Sequence, residues 1–210
     1  MAKLLEFGDA MSAWRILLDA VQADHAAMRS GRDKYRTEGS SMRSAGLLGD
    51  GIQKIGFQMM VAYRIMRCAG DLGIPFLPQV VSRLIRHLYG AEIHWNATIH
   101  PGVSIVHGSG LVLSHGCVVG SGCILFQGVT LGESIDSFSR TVGAPTLEAN
   151  VHVGPGAVLL GPIVVGEGSK IMANVVLDRS VPPGSVVRPS AALVEPRKND
   201  RVDTNQQEEQ

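Results

Sequence analysis

The stretch Glu92-IHWNATIHPGVSIVHGSGLVLSHGCVVGSGCILFQGVTL-Gly132 decides the fold. Counted in sixes from Ile93, it sets Ile99, Ile105, Leu111, Cys117, Cys123 and Val129 in one register, all small to medium and apolar. After an interruption the count returns at Leu147, Val153, Leu159, Val165, Ile171 and Leu177. A second set follows four residues behind the marks: Ala97, Val103, Ser109 and Ser121, then Val151, Ala157, Ile163, Ser169, Val175 and Val181. Helices repeat every 3.6 residues and open strands every 2, and neither period fits. A hexapeptide period marks a parallel β-helix. Three six-residue sides close a triangular coil of about 18 residues, and each coil stacks its inward aliphatic residues on the next. Gly108, Gly110, Gly116, Gly120 and Gly122 suit the corners, where positive φ is often needed.

Composition agrees with a thin aliphatic core, since aromatic residues make up only 5% of the 210. Lys+Arg and Asp+Glu are both 19, so charge gives no reason to expect nucleic acid or an anionic membrane as partner. Three cysteines, Cys68, Cys117 and Cys123, show no metal-ligand spacing, and two take inward repeat positions. No metal is expected, and the odd count points to a reducing cytoplasm. The start of the chain carries charges inside its apolar pattern, unlike a secretory leader. No uncharged run is long enough to span a bilayer.

Three parts are expected. Residues 1–90 read as an α-helical N-terminal region. Helical spacing appears over residues 4–28 and again over 50–70, and Pro78 opens a third helix through about Tyr89. These helices are too small for a cofactor pocket, and their apolar faces suit a cap and an oligomer contact. Residues 91–194 form the left-handed β-helix, interrupted by a polar loop over 133–146. In a solenoid such an insertion lies on one face, commonly the binding face. Residues 195–210 are almost wholly polar and read as a disordered tail.

The hexapeptide rod, the run Gln127-GVTL-Gly132, the segment Gly154-PG-Ala157 and the ending Ser180-VPPG-Ser185 together resemble the serine O-acetyltransferase family. Glu92-I-His94 and Tyr63-R-Ile65 fit the same family. The resemblance covers roughly residues 20–194. It implies a homotrimer that binds acetyl-CoA in the groove between neighbouring β-helices. Many members pair trimers into hexamers through a longer helical region than this chain carries.

Acetyl transfer from a thioester to a hydroxyl needs a base, donors for the thioester oxygen and alignment of the two reactants. His107, flanked by Gly108 at an outward position, matches the family's base. Glu92 stands where the family has an Asp that orients this histidine. It lies fifteen residues earlier, close to one coil, so stacking brings the two together. A carboxylate there fixes the tautomer and stabilises the imidazolium. The resemblance also places Gly132, Gly154, Pro155, Gly156, Ala157, Ala173 and Asn174 along the pantetheine groove. Arg140 and His115 are candidates for acceptor binding, against the plainer readings of a solvated loop arginine and a distorted corner.

Three departures bear on the acceptor. Val106 replaces the family's Asp before the base, Gly143-Ala144 replaces its Arg-His pair, and an acidic residue of its helical region falls near Arg29. A free amino acid bound without a cation and an anion would leave charges unpaired. The expectation is therefore an acetyl-CoA-dependent O-acetyltransferase whose acceptor is a sugar or glycan hydroxyl. The alternatives are serine O-acetyltransferase itself, with acceptor contacts rebuilt by Arg140, His115 and the helices, and a non-catalytic trimeric scaffold.

Overall fold

The computed structural model describes residues 2–33, 46–135 and 140–190, with side chains for 11–30, 46–135 and 140–190. The segments 34–45 and 191–210 lie outside the described residues. So does most of the polar stretch expected between the first helices, and the whole expected tail. Four helices come first: α1 (Ala2–Asp33), α2 (Gly46–Gln53), α3 (Ile55–Asp71) and α4 (Leu77–Tyr89). The helix expected over 50–70 is two, because Lys54 adopts an extended conformation between α2 and α3.

A triangular rod of short parallel strands follows. Face A stacks β1 (Glu92–Ile93), β4 (Val112–Leu113), β7 (Thr130–Gly132), β12 (Val158–Leu160) and β15 (Val176–Leu177). Face B stacks β2 (Thr98–Ile99), β5 (Val118–Val119), β10 (Thr146–Leu147) and β13 (Val164–Val165). Face C stacks β3 (Ser104–Val106), β6 (Ile124–Phe126), β11 (His152–Val153), β14 (Lys170–Ile171) and β16 (Val186–Val187). The interruption is a hairpin that pairs β8 (Ser134–Ile135) antiparallel with β9 (Val142–Gly143). It leaves the rod at the edge between faces A and B. Gly120 is close-packed rather than left-handed: a β-carbon there would lie 2.7 Å from the Glu148 carbonyl carbon.

The inward register differs from the count in sixes. Val106 pairs with Phe126, twenty residues on, whereas Val112 pairs with Thr130, eighteen on. Between Val106 and Gly110 lie three residues where the next coil has Gln127 alone, because Gly128 N–H bonds to the Ser109 carbonyl at 2.9 Å. Two residues are therefore extra at the corner carrying His107. Beyond it the mid-face inward residues are Leu113, Val119, Leu125 and Leu131, and Leu111, Cys117, Cys123 and Val129 fill the corners, all buried. Of the serines in the second set, Ser109 and Ser121 are exposed, whereas Ser169 is buried.

The helices cover the open end of the first coil. Tyr63 Oη donates to Ala97 O at 2.8 Å and accepts from Ile99 N–H at 2.9 Å. Arg64 donates to Ile99 O and His100 O, and Ser82 Oγ to Ile93 O. Asp24 accepts two bonds from Arg64 and takes the N–H groups of Gly102 and Val103. A terminal coil otherwise presents unpaired backbone groups. Burial raises the Tyr63 phenol pKa, so this hydroxyl stays neutral while it bridges the backbone groups on either side of Thr98.

Candidate active site

His107 stands at the edge where face C turns into face A. It is exposed, with φ 67°, and Gly108 follows at φ 81°. Gly108 N–H bonds back to Val106 O at 2.9 Å. This closes a three-residue turn with a positive φ at its centre, a rare and strained form. His107 is thus pushed outward on a two-residue excursion from the coil.

Above it the edge carries few side chains. Gly128 N–H bonds to Ser109 O, Gly156 N–H to Gln127 O and Asn174 N–H to Pro155 O, each on the coil below. A β-carbon on Gly110 would lie 3.5 Å from Gly128 Cα, and one on Gly128 3.4 Å from Gly156 Cα. The result is a smooth strip running from His107 past Gly154, Pro155 and Gly156 to Ala173 and Asn174. Ala157 belongs to this corner but faces the core, and its N–H and carbonyl bond to Gly154 and Thr130.

Glu92 opens β1 on face A, below Val112. Its carboxylate pairs with Arg86 of α4, Oε1 to Nη2 at 2.5 Å, and both side chains are well exposed. No bond between Glu92 and His107 is present among the described residues. Sequence spacing missed Arg86 because its reach to Glu92 depends on how α4 docks.

The other expected residues gather on the A–B edge. Gly132 ends β7 there, His115 sits exposed at the turn after β4, and Arg140 is exposed at φ 58° in the hairpin. His94 joins them unannounced by the repeat. Its ring stacks on Trp95 at 3.9 Å and meets His115 edge-on at 5.2 Å. Burial, then the neighbouring His115, lowers the His94 pKa, against smaller upward pulls from Glu92 and Glu133. Beneath this edge an open cavity of about 260 Å³ is bordered by Arg67, Asp71, Pro78 and Trp95. Gly143 packs against Pro162, where a β-carbon would come within 2.8 Å of the proline Cβ. A side chain at that position would have to displace the proline ring. Among the described residues no cluster of His, Cys, Asp or Glu could hold a metal ion. No described helix is long and apolar enough to cross a membrane.

Residues 144–179 match the family described as bacterial transferase hexapeptide (six repeats). The chain is 36% identical over 149 residues to a serine acetyltransferase of Synechococcus elongatus, covering 67% of this chain and 60% of that one. It is 36% identical over 155 residues to the serine acetyltransferase of Bacillus subtilis, covering 73% and 70%. It therefore spans about three fifths of the cyanobacterial relative and over two thirds of the bacillar one. Among solved structures, the serine acetyltransferase of Neisseria gonorrhoeae in complex with serine matches with a TM-score of 0.72 and 25% identity, over 90% of this chain and 73% of that one. The parallel rod with its small helical region is that of a left-handed β-helix acyltransferase.

Proposed function

This chain belongs to the serine acetyltransferase family, and on that premise we propose that it transfers an acetyl group from acetyl-CoA to the hydroxyl of L-serine. The expected sugar or glycan acceptor is corrected by the relatives, which are serine acetyltransferases in sequence and in structure. That expectation rested on the missing Arg-His pair. In place of that pair, Gly143 lies against Pro162, where a β-carbon would come within 2.8 Å of the proline Cβ.

One observation carries the proposal: His107 stands exposed at the foot of an edge where Gly110, Gly128 and Gly156 stack on one another. The pantetheine arm of acetyl-CoA is thin and carries amides, and a strip of glycine, proline and alanine lets it lie close to the backbone. The thioester then reaches the imidazole. Neutral His107 takes the serine hydroxyl proton as the oxygen attacks the thioester carbon. The tetrahedral centre collapses, the C–S bond breaks, and the imidazolium returns the proton to the leaving thiolate. Glu92, once turned from Arg86, stabilises the imidazolium.

Within one chain His107 and the A–B edge lie on opposite sides of face A. We place the acceptor between neighbouring chains of a homotrimer, where unlike edges meet. Free serine brings a carboxylate and an ammonium. Arg140 and His115 on the A–B edge, with Arg67 and Asp71 beneath it, offer both countercharges. The test is thiol release from acetyl-CoA with and without L-serine. Serine-dependent release that falls at least about a hundredfold in His107→Ala is expected. No serine-dependent release, or unchanged turnover in the variant, overturns the proposal.

A further inference from the structure

His107 keeps a strained backbone shape that its own coil does not explain. Strained conformations persist only where the surroundings over-determine them. The coil above offers no matching residues, since Gln127 alone spans the corner there. Support comes from below, from one face of α3. Met59 is fully buried, and a β-carbon on Gly108 would lie 2.7 Å from its Sδ and 3.4 Å from its Cε. Three residues earlier on the same helix face, Gly56 lies against the Ile105 carbonyl so closely that any side chain would strike it. The helix thus grips both arms of the excursion, at Ile105 before His107 and at Gly108 after it.

We propose that Met59 is a positioning residue for His107, its thioether wedged under Gly108 to hold the left-handed turn that aims the imidazole along the edge. A long, deformable side chain fills such an irregular space where a short or β-branched one would not. Without the wedge, the His107–Gly108 pair relaxes toward ordinary φ and the ring swings off the strip. This rests on the reading of His107 as the base.

The experiment compares Met59→Ala, Met59→Val and Met59→Leu with the wild type. In the thiol-release assay kcat falls as the side chain shortens, by about 10- to 100-fold for alanine, the loss that goes with displacement of roughly 1 Å. KM for acetyl-CoA stays within about twofold, because the strip from Gly154 to Asn174 does not touch Met59, and leucine recovers most of kcat. If the alanine variant does not fold, the leucine and valine variants carry the comparison. A flat kcat across the folded variants, or a loss in KM alone, overturns the proposal. The ring resonances of His107, identified by their disappearance in His107→Ala, give a second readout without substrate. They shift in Met59→Val, and unmoved resonances refute the wedge. That readout stands even if L-serine proves not to be the acceptor, so the two readings fail separately.

Discussion

Replacing Asp24 tests whether the helices hold the first coil. Its carboxylate is 1% exposed and Arg64 is 7% exposed, with Oδ2 to Nε at 2.8 Å. Oδ1 also takes Gly102 N–H at 2.8 Å and Val103 N–H at 3.2 Å. Asp24→Ala leaves a buried guanidinium without its anion and two backbone donors without an acceptor. Removing one partner of a buried pair costs about 3–5 kcal/mol. For a chain of this size that lowers Tm by roughly 6–20 °C. Asp24→Asn keeps an oxygen for the N–H groups and should fall about halfway. In Asp24→Leu/Arg64→Met no charge is stranded, so the double variant should lose less than the two single losses added together. Urea unfolding at fixed protein concentration measures these three variants and the two single ones, Asp24→Leu and Arg64→Met, since oligomer formation makes stability concentration-dependent. The first coil carries Glu92 and His107, so thiol release should fail at lower urea than the global transition. An alanine variant within about 1 kcal/mol of wild type would refute the idea that this pair secures the cap.

Four further outcomes follow from particular contacts. Gly120→Ala forces a β-carbon onto the Glu148 backbone and should cost more in urea unfolding than Gly116→Ala, which meets nothing within 4 Å and bears only the strain of φ 75°; the reverse order would contradict the packing. Burial pushes the thiols of Cys117 and Cys123 up to about 12 and about 11, so neither should react with a thiol reagent at pH 8 until the chain unfolds. The lowered His94 pKa means that the unfolded chain binds the extra proton first, so stability should fall as pH drops below 6.5; His94→Gln should flatten the change in Tm between pH 7.5 and 5.5. Deleting His107 and Gly108 together restores an eighteen-residue coil, and the product should fold with a wild-type circular dichroism spectrum but show no thiol release.

The rod was legible because its core is built from one chemical pattern, and the strand pairs follow it on every face. The register was not fully legible, and the cause is specific. The excursion at His107–Gly108 shifts the inward residues by two, so Leu113 rather than Leu111 sits mid-face. The hairpin adds ten more, since Thr130 pairs with Val158, twenty-eight residues on. Together the two insertions make a multiple of six, so the count from Ile93 lands on Leu147 as though nothing had intervened. Ser109 was the signal: a serine of the second set, set between glycines and two places after His107, marks the point where the register slips.

The same slip explains why half of the candidate site was visible and half was not. His107 is outward because two residues exceed the repeat, and an interruption in a regular pattern is something a sequence displays. The neighbours of His107 and Glu92 are not displayed. Met59, Gly56 and Arg86 lie on helices whose apolar spacing says only that they are buried or paired somewhere. Which coil they meet depends on Tyr63, Arg64 and Asp24 engaging the free backbone groups of residues 97–103. These contacts span up to 79 positions in the chain, and no local period encodes them. The rod therefore specifies where His107 stands, and the docked helices bring Gly56 and Met59 against the residues on either side of it. Substitutions in α3 should accordingly alter catalysis at His107 while leaving the repeat itself intact.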